Sequence, residues 1–320
     1  MDGRLKVILW LCPLRDLPTE AELTSVITSW LSDEELHKVN RYRKQDSQVQ
    51  ALFVRGFLRV ILSQYSDIKP AQWRFEYGDK GKPRLCSKQK QQTGLDFNLS
   101  HSKDHLLIGV LQSHHREHTL GVDIEHARQG TDIYSIMSHY FANSEVQELM
   151  RLEENAQRER FFDVWALKES YIKATGKGLA TSLKRFYFDF SNQQRQHLTL
   201  NETQGPQKKE RHFEIYRQLP IIFIGDDHSQ TEGSQAEQSS TNSWVTTERR
   251  TTKDPDTVDT VDTVDTVTLL SSTSHWQSIL GRLDSDYRFA LTVGGSKGEI
   301  LLEMNTFTLT NLEQENLNQA

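Results

Sequence analysis

The apolar positions of this chain recur with two periods, which predict strands starting near Val7, Leu120, Leu219 and Tyr287 and long helices ending near Leu62 and Thr175. Val7 to Leu14 is a nearly continuous apolar run and reads as a first buried strand. It is short for a secretory signal, lacks a small-residue cleavage site and runs straight into Arg15-Asp16. Phe161, Phe162, Trp165 and Ile172 fall on one helical face at about 100° per residue, and Gly176 with Gly178 ends that helix. Gly121-Val122-Asp123-Ile124-Glu125 alternates as a strand, with Val122 and Ile124 toward a core and the two acids on the opposite face. The apolar strand Leu219–Ile224 and the alternating strand Tyr287–Val293 are expected to form one antiparallel pair.

The elements also repeat. Leu5–Trp10, the helix start Leu31-Ser32-Asp33-Glu34-Glu35-Leu36 and a long helix to Leu62 are echoed by Leu120–Glu125, Ala142-Asn143-Ser144-Glu145-Val146 and the helix around Trp165. In that echo Phe57 stands where the second half has Glu169, so only one half carries the acids. One site per chain follows, and a monomer is expected.

Between the last two predicted strands the pattern dissolves. Ser229 to Ser274 is rich in Ser, Thr, Gln and Asp and carries the tandem triplets Thr257-Val258-Asp259, Thr260-Val261-Asp262 and Thr263-Val264-Asp265. Such a stretch buries too little surface to offset its ordering entropy, so a disordered insertion is expected at about 229–274. It also concentrates the charge. The chain carries a net −6, of which Asp226–Asp265 contributes −7, leaving the rest at +1. No basic stripe interleaved with aromatics argues for nucleic acid, and no apolar run is long enough to span a membrane. Basic clusters at Arg41-Tyr42-Arg43-Lys44 and Lys184-Arg185 read either as solvated faces or as a docking face for an acidic partner. Two cysteines, Cys12 and Cys86, without metal spacing fit a reducing cytoplasm and no disulfide framework. With 320 residues, the chain is long enough for two domains or subdomains.

Candidate chemistry lies in four places. Glu169 sits inside the apolar arc of its helix, where a carboxylate needs a partner, and Lys173 lies at the i,i+4 spacing that can supply one; a plain surface pair is the competing reading. Asp123 and Glu125 side by side either face water or bind a cation. Three carboxylates from a strand and a helix, meeting at a cleft, would suit an oxygen-liganded Mg²⁺ that also binds substrate phosphates. Phe97-Asn98-Leu99-Ser100-His101-Ser102 places hydroxyls around an imidazole, and Gly81-Lys82-Pro83 presents a lysine in a rigid turn; each is a phosphate contact or an ordinary loop. His114, His115 and His118 have no evident fourth ligand, which argues against a zinc site.

The succession GKP (Gly81–Pro83), FNLSHS (Phe97–Ser102), GVDIE (Gly121–Glu125) and WALKESYIKATGKGL (Trp165–Leu179) resembles the 4′-phosphopantetheinyl transferases of the Sfp type, the holo-[acyl-carrier-protein] synthases. The resemblance covers about Arg41 to Leu179. It implies an α+β fold of two similar subdomains related by a pseudo-twofold axis, here 1–118 and 119–320, with the active site between them. It also implies an enzyme that transfers the phosphopantetheine arm of coenzyme A to a serine of an apo acyl or peptidyl carrier protein, releasing adenosine 3′,5′-bisphosphate. Asp123, Glu125 and Glu169 then match the Mg²⁺ positions, Glu125 directly or through a water. Ser100 and His101 match the holders of the 3′-phosphate, Lys82 a further contact to the nucleotide, and Lys173 the lysine beside the pyrophosphate. Glu169 and Lys173 become the catalytic pair. Where many relatives carry a basic residue before the helix ending at Arg59, this chain reads Ser47-Gln48-Val49-Gln50. Arg41, Arg43, Lys44 and Arg55 are the candidates to replace it. A non-catalytic module that binds coenzyme A or a carrier is the alternative; it would not need the intact acids and Lys173.

Overall fold

The structure is a computed structural model and describes residues 4–19, 21–78, 81–113, 118–178, 182–204, 207–224, 269–270 and 276–317. The first half of the chain runs β1 (Leu5–Pro13), α1 (Ala21–Trp30), α2 (Asp33–Asn40), α3 (Gln45–Ser63), β2 (Phe75–Tyr77), β3 (Pro83–Leu85), α4 (Ser87–Thr93), β4 (Leu95–Ser102) and β5 (His105–Gln112). The second runs β6 (Thr119–His126), α5 (Ile133–Tyr140), α6 (Asn143–Met150), α7 (Glu154–Thr175), β7 (Phe186–Phe188), β8 (Gln194–Gln204), β9 (Gln207–Arg217), β10 (Ile221–Ile224), β11 (Leu269–Leu270), β12 (Trp276–Arg282), β13 (Tyr287–Gly294), β14 (Ile300–Thr306) and α8 (Leu309–Leu317). The architecture is mixed α+β. No helix among the described residues is long and apolar enough to cross a membrane.

Nine strands form one mixed sheet in the order β4-β5-β1-β14-β8-β9-β12-β13-β6. The predicted first strand lies inside it, parallel to β14 and antiparallel to β5. The sheet curls until its two end strands, β4 and β6, lie against each other. Alternate residues, among them Val7, Leu9, Leu120, Val122, Ile124, Leu291 and Met304, fill the interior so enclosed. The opposite faces of the strands carry α3 on one side and α7 on the other. Val122 and Ile124 therefore point into the barrel-like core, and Gly121, Asp123 and Glu125 point toward α7. Gly121 permits the close crossing. A Cβ there would overlap the backbone of Ser170 and Ala174, so any larger residue would push α7 away from β6.

Two buried ion pairs, one in each half of the chain, tie the start of a short helix to a long one. Ser32 caps α2 and Glu35 reaches back to its N–H at 3.0 Å, forming a capping box. The same Glu35 takes a bidentate bond from Arg59 on α3, at 2.6 and 3.1 Å. In the second half Glu145 accepts from the Ala142 N–H at 2.9 Å and pairs with Lys168 on α7 at 2.8 Å. Registering the halves on these pairs places Val60, which follows Arg59, opposite Glu169, which follows Lys168. The sequence echo sets Phe57, three residues earlier, against Glu169. Helical periodicity alone could not set the register to within a turn, whereas a buried charge pair can.

The expected pairing of Leu219–Ile224 with Tyr287–Val293 does not occur. β10 pairs with β7 and β11 in a separate three-stranded sheet, while β13 pairs with β12 and β6. The strand Trp276–Arg282, unrecognised in the sequence, takes the place beside β13 through a tight turn closed by Leu283 N–H to Tyr287 O at 3.0 Å. The expected insertion at about 229–274 lies outside the described residues except for Leu269–Leu270, whose backbone pairs with Phe223–Ile224.

Candidate active site

The crossing of α7 over β6 brings three of the sequence-predicted residues into hydrogen-bond contact. Lys173 Nζ donates to Asp123 Oδ1 at 2.6 Å and to Ser100 Oγ at 2.7 Å, and Ser100 Oγ donates to Asp123 Oδ1 at 2.8 Å. Asp123 is 2% exposed, so its charge is held almost entirely by these two partners. Lys173 was expected to reach back to Glu169; it turns to Asp123 instead. The strand carboxylate is the more deeply buried of the two, and an ammonium gains most where water screens least.

Glu125 and Glu169 lie close enough to feel the charges of Asp123 and Lys173 and are only partly covered. Burial, then the negative charge of Asp123, pushes both carboxyls up to about 7; Lys173 opposes the shift in each, and an indole bond from Trp165 opposes it in Glu125. The acids therefore share too little positive charge to ionise together at neutral pH. Asp123 Oδ2 is buried without a hydrogen-bond partner. An all-oxygen set with one orphaned acceptor and two carboxyls short of countercharge suits a hard divalent cation. The acids do not yet converge, however: among the described residues no three such side chains are gathered as a ligand group. Lys173 occupies the other Asp123 oxygen, Oδ1.

The remaining predicted residues ring this centre. Ser100 and His101 are neighbours on β4 and leave opposite faces of the strand. Ser100 is buried against Asp123, whereas His101 keeps an exposed face. Desolvation of the rest of its ring, then the Lys173 charge, lowers the His101 pKa. Lys82 is committed to backbone: its Nζ donates to the carbonyls of Lys173 at 2.5 Å and Leu120 at 3.1 Å, tying the Gly81-Lys82-Pro83 turn to the C-terminal end of α7. Burial lowers its pKa.

Beside that turn lies a cavity of about 470 Å³ lined by Lys38, Arg41, Tyr42, Arg55, Tyr77 and Gly81. Of the four basic candidates from the sequence, it gathers Arg41 and Arg55. Lys38 and Tyr77 were missed, because only the tertiary packing that sets Lys38 over the Tyr77 ring brings them together. Asn98, which bonds to β6, and Trp165 were not singled out as functional; Ser102, expected as a hydroxyl beside the imidazole, bonds to β6 instead. His114 and His115 lie outside the described residues, and His118 is buried.

Comparison with known proteins gives matches over both halves of the chain. Residues 119–224 match the family described as the 4′-phosphopantetheinyl transferase superfamily, and residues 17–113 match the one described as 4′-phosphopantetheinyl transferase, N-terminal. The chain is 36% identical over 175 residues to the 4′-phosphopantetheinyl transferase HetI of Nostoc sp. (strain PCC 7120), covering 55% of this chain and 70% of the relative. It is 25% identical over 171 residues to the 4′-phosphopantetheinyl transferase Sfp of Bacillus subtilis, covering 53% and 71%. It is also similar, at 28% over 182 residues, to the human L-aminoadipate-semialdehyde dehydrogenase-phosphopantetheinyl transferase, covering 55% and 57%.

Proposed function

Because the chain belongs to the 4′-phosphopantetheinyl transferase superfamily, we propose that it moves the phosphopantetheine arm of coenzyme A onto a serine of an apo carrier protein at the β6–α7 crossing. The observation that carries this assignment is the Lys173–Asp123–Ser100 contact flanked by two carboxyls raised to about 7. The carrier hydroxyl attacks the β-phosphorus of coenzyme A, and the bond to adenosine 3′,5′-bisphosphate breaks. Asp123 and Glu169, with Glu125 directly or through a water, would hold Mg²⁺, which when bound would neutralise charge on the pyrophosphate. Lys173, which pairs with Asp123 at 2.6 Å, would stabilise the charge that develops on the pyrophosphate. Glu169 lies on the same helix as Lys173, one turn away, and is the group proposed to accept the serine proton, directly or through a water. The raised carboxyls support catalysis over mere binding. The basic cavity at Arg41 and Arg55 and the exposed His101 support coenzyme A phosphate contacts, with Lys82 acting through the turn it anchors.

The paired buried ion bridges support two subdomains, 1–118 and 119–320, related by a pseudo-twofold axis. Carrier domains of peptide, polyketide or fatty-acid synthesis are the proposed partners, and a cytoplasmic monomer the proposed working form. Incubation with coenzyme A, Mg²⁺ and several apo carriers, followed by mass spectrometry, is expected to show the added arm on at least one carrier. Coenzyme A binding without any carrier gaining mass would instead favour the binding-module reading.

The raised carboxyls give this reading a pH signature. A carboxyl that keeps its proton to about pH 7 when folded, but loses it near 4.5 when unfolded, makes the metal-free protein less stable as pH rises through that interval. A cation must displace those protons. Mg²⁺ affinity is therefore expected to rise from about pH 6 to about pH 8, with protons released on binding. Calorimetry in buffers of different ionisation enthalpy reads both effects. Equal affinity at the two pH values, with no proton release, would remove Glu125 and Glu169 from the metal assignment.

A further inference from the structure

β4 and β6 are the end strands of the nine-stranded sheet, and side chains rather than a backbone ladder join them. Asn98, Ser100 and Ser102 alternate along β4 and face β6. Asn98 Oδ1 accepts from the Val122 N–H at 2.9 Å, and Ser102 Oγ accepts from the His126 N–H at 3.1 Å. These two bonds bracket Asp123-Ile124-Glu125: one holds the amide just before Asp123, the other the amide just after Glu125. Both acceptors are buried, Asn98 at 3% and Ser102 at 7% exposure.

Spacing explains why side chains are used. A backbone ladder would draw the strands to about 4.8 Å and close the seam. A side-chain bridge holds the strands a side chain apart while fixing their register, which leaves room for Ser100 between β4 and Asp123. Neither amide can be left bare, since a buried N–H without a partner loses its water and gains nothing in return.

We propose that Asn98 and Ser102 are positioning residues that set the width and register of this seam, and through β6 hold Asp123 and Glu125 against α7. The inference rests on the assignment of those acids to Mg²⁺. It predicts that removing a bridge weakens Mg²⁺ binding without equally weakening the nucleotide, whose proposed contacts include His101 and the basic cavity at Arg41 and Arg55.

The test compares Ser102→Ala, Ser102→Thr and Asn98→Ala with the unaltered chain, titrating Mg²⁺ alone and, separately, adenosine 3′,5′-bisphosphate without metal. Ser102→Ala is expected to weaken Mg²⁺ by about 10-fold, the scale of lost outer-shell support at metal sites, with the nucleotide within about twofold. Ser102→Thr, which keeps the hydroxyl, is expected to bind both as the unaltered chain does. Asn98→Ala should follow Ser102→Ala, and if it fails to fold the serine pair decides. In turnover the same split should appear as a raised Mg²⁺ requirement at an unchanged KM for coenzyme A. Unchanged Mg²⁺ affinity in Ser102→Ala, or equal losses for Mg²⁺ and nucleotide, would overturn the positioning role alone. Absence of Mg²⁺ binding by the unaltered chain would overturn the functional assignment and this inference together.

Discussion

Asp123→Asn is expected to lower kcat/KM for phosphopantetheine transfer by at least about 100-fold while the protein stays folded. The substitution keeps shape and leaves an amide oxygen able to accept from Ser100 and Lys173, so it removes charge and little else. That charge is the one buried anion at the crossing, 2% exposed, and its Oδ2 has no protein partner. A loss of about 100-fold corresponds to about 2.7 kcal/mol of transition-state stabilisation, within the several kcal/mol expected of an electrostatic group in a partly dry site. Glu169→Gln is expected to fall as far, because it removes the group proposed both as cation ligand and as proton acceptor. Steady-state kinetics on an apo carrier, beside a thermal melt, measure both. Turnover within about threefold of the unaltered enzyme, in a folded variant, would remove the residue from the catalytic centre.

Lys168→Met should produce the largest loss of stability, about 3–5 kcal/mol in urea unfolding. Lys168 is fully buried and its ammonium has three acceptors: Glu145 at 2.8 Å and the carbonyls of Leu183 and Phe186 at 2.7 Å each. Removing it strands a carboxylate that also caps α6. Burial already pushes Glu145 up and Lys168 down from their ordinary values despite the pairing, so the pair survives only as a pair. Arg59→Met should act in the same direction. There burial pushes Glu35 up, but the Arg59 bonds and charge more than reverse it and leave the carboxyl below its ordinary value. A loss under about 1 kcal/mol for Lys168→Met would mean that water reaches Glu145 and that the bridge is not structural.

Much of this molecule is legible in the chain because its information is local. The alternation of Gly121–Glu125 placed Val122 and Ile124 inside and the acids outside, since side chains on a strand must alternate. The 3.6 period brought Glu169 and Lys173 to one face and the glycines marked the helix end, and α7 indeed stops at Gly176 in a left-handed conformation. The four motifs, in order, were enough to indicate the family. What the sequence could not decide was which partner each group meets. Lys173 has Glu169 one turn away along its own helix and Asp123 across the crossing, and only the docking of α7 over Gly121 selects the second. Leu219–Ile224 and Tyr287–Val293 both read as strands, yet an apolar pattern names no neighbour, and long-range packing sent them to different sheets. The same holds for Asn98 and Ser102: β4 and β6 meet because the sheet curls until its ends touch, a consequence of accumulated strand twist that no single segment encodes.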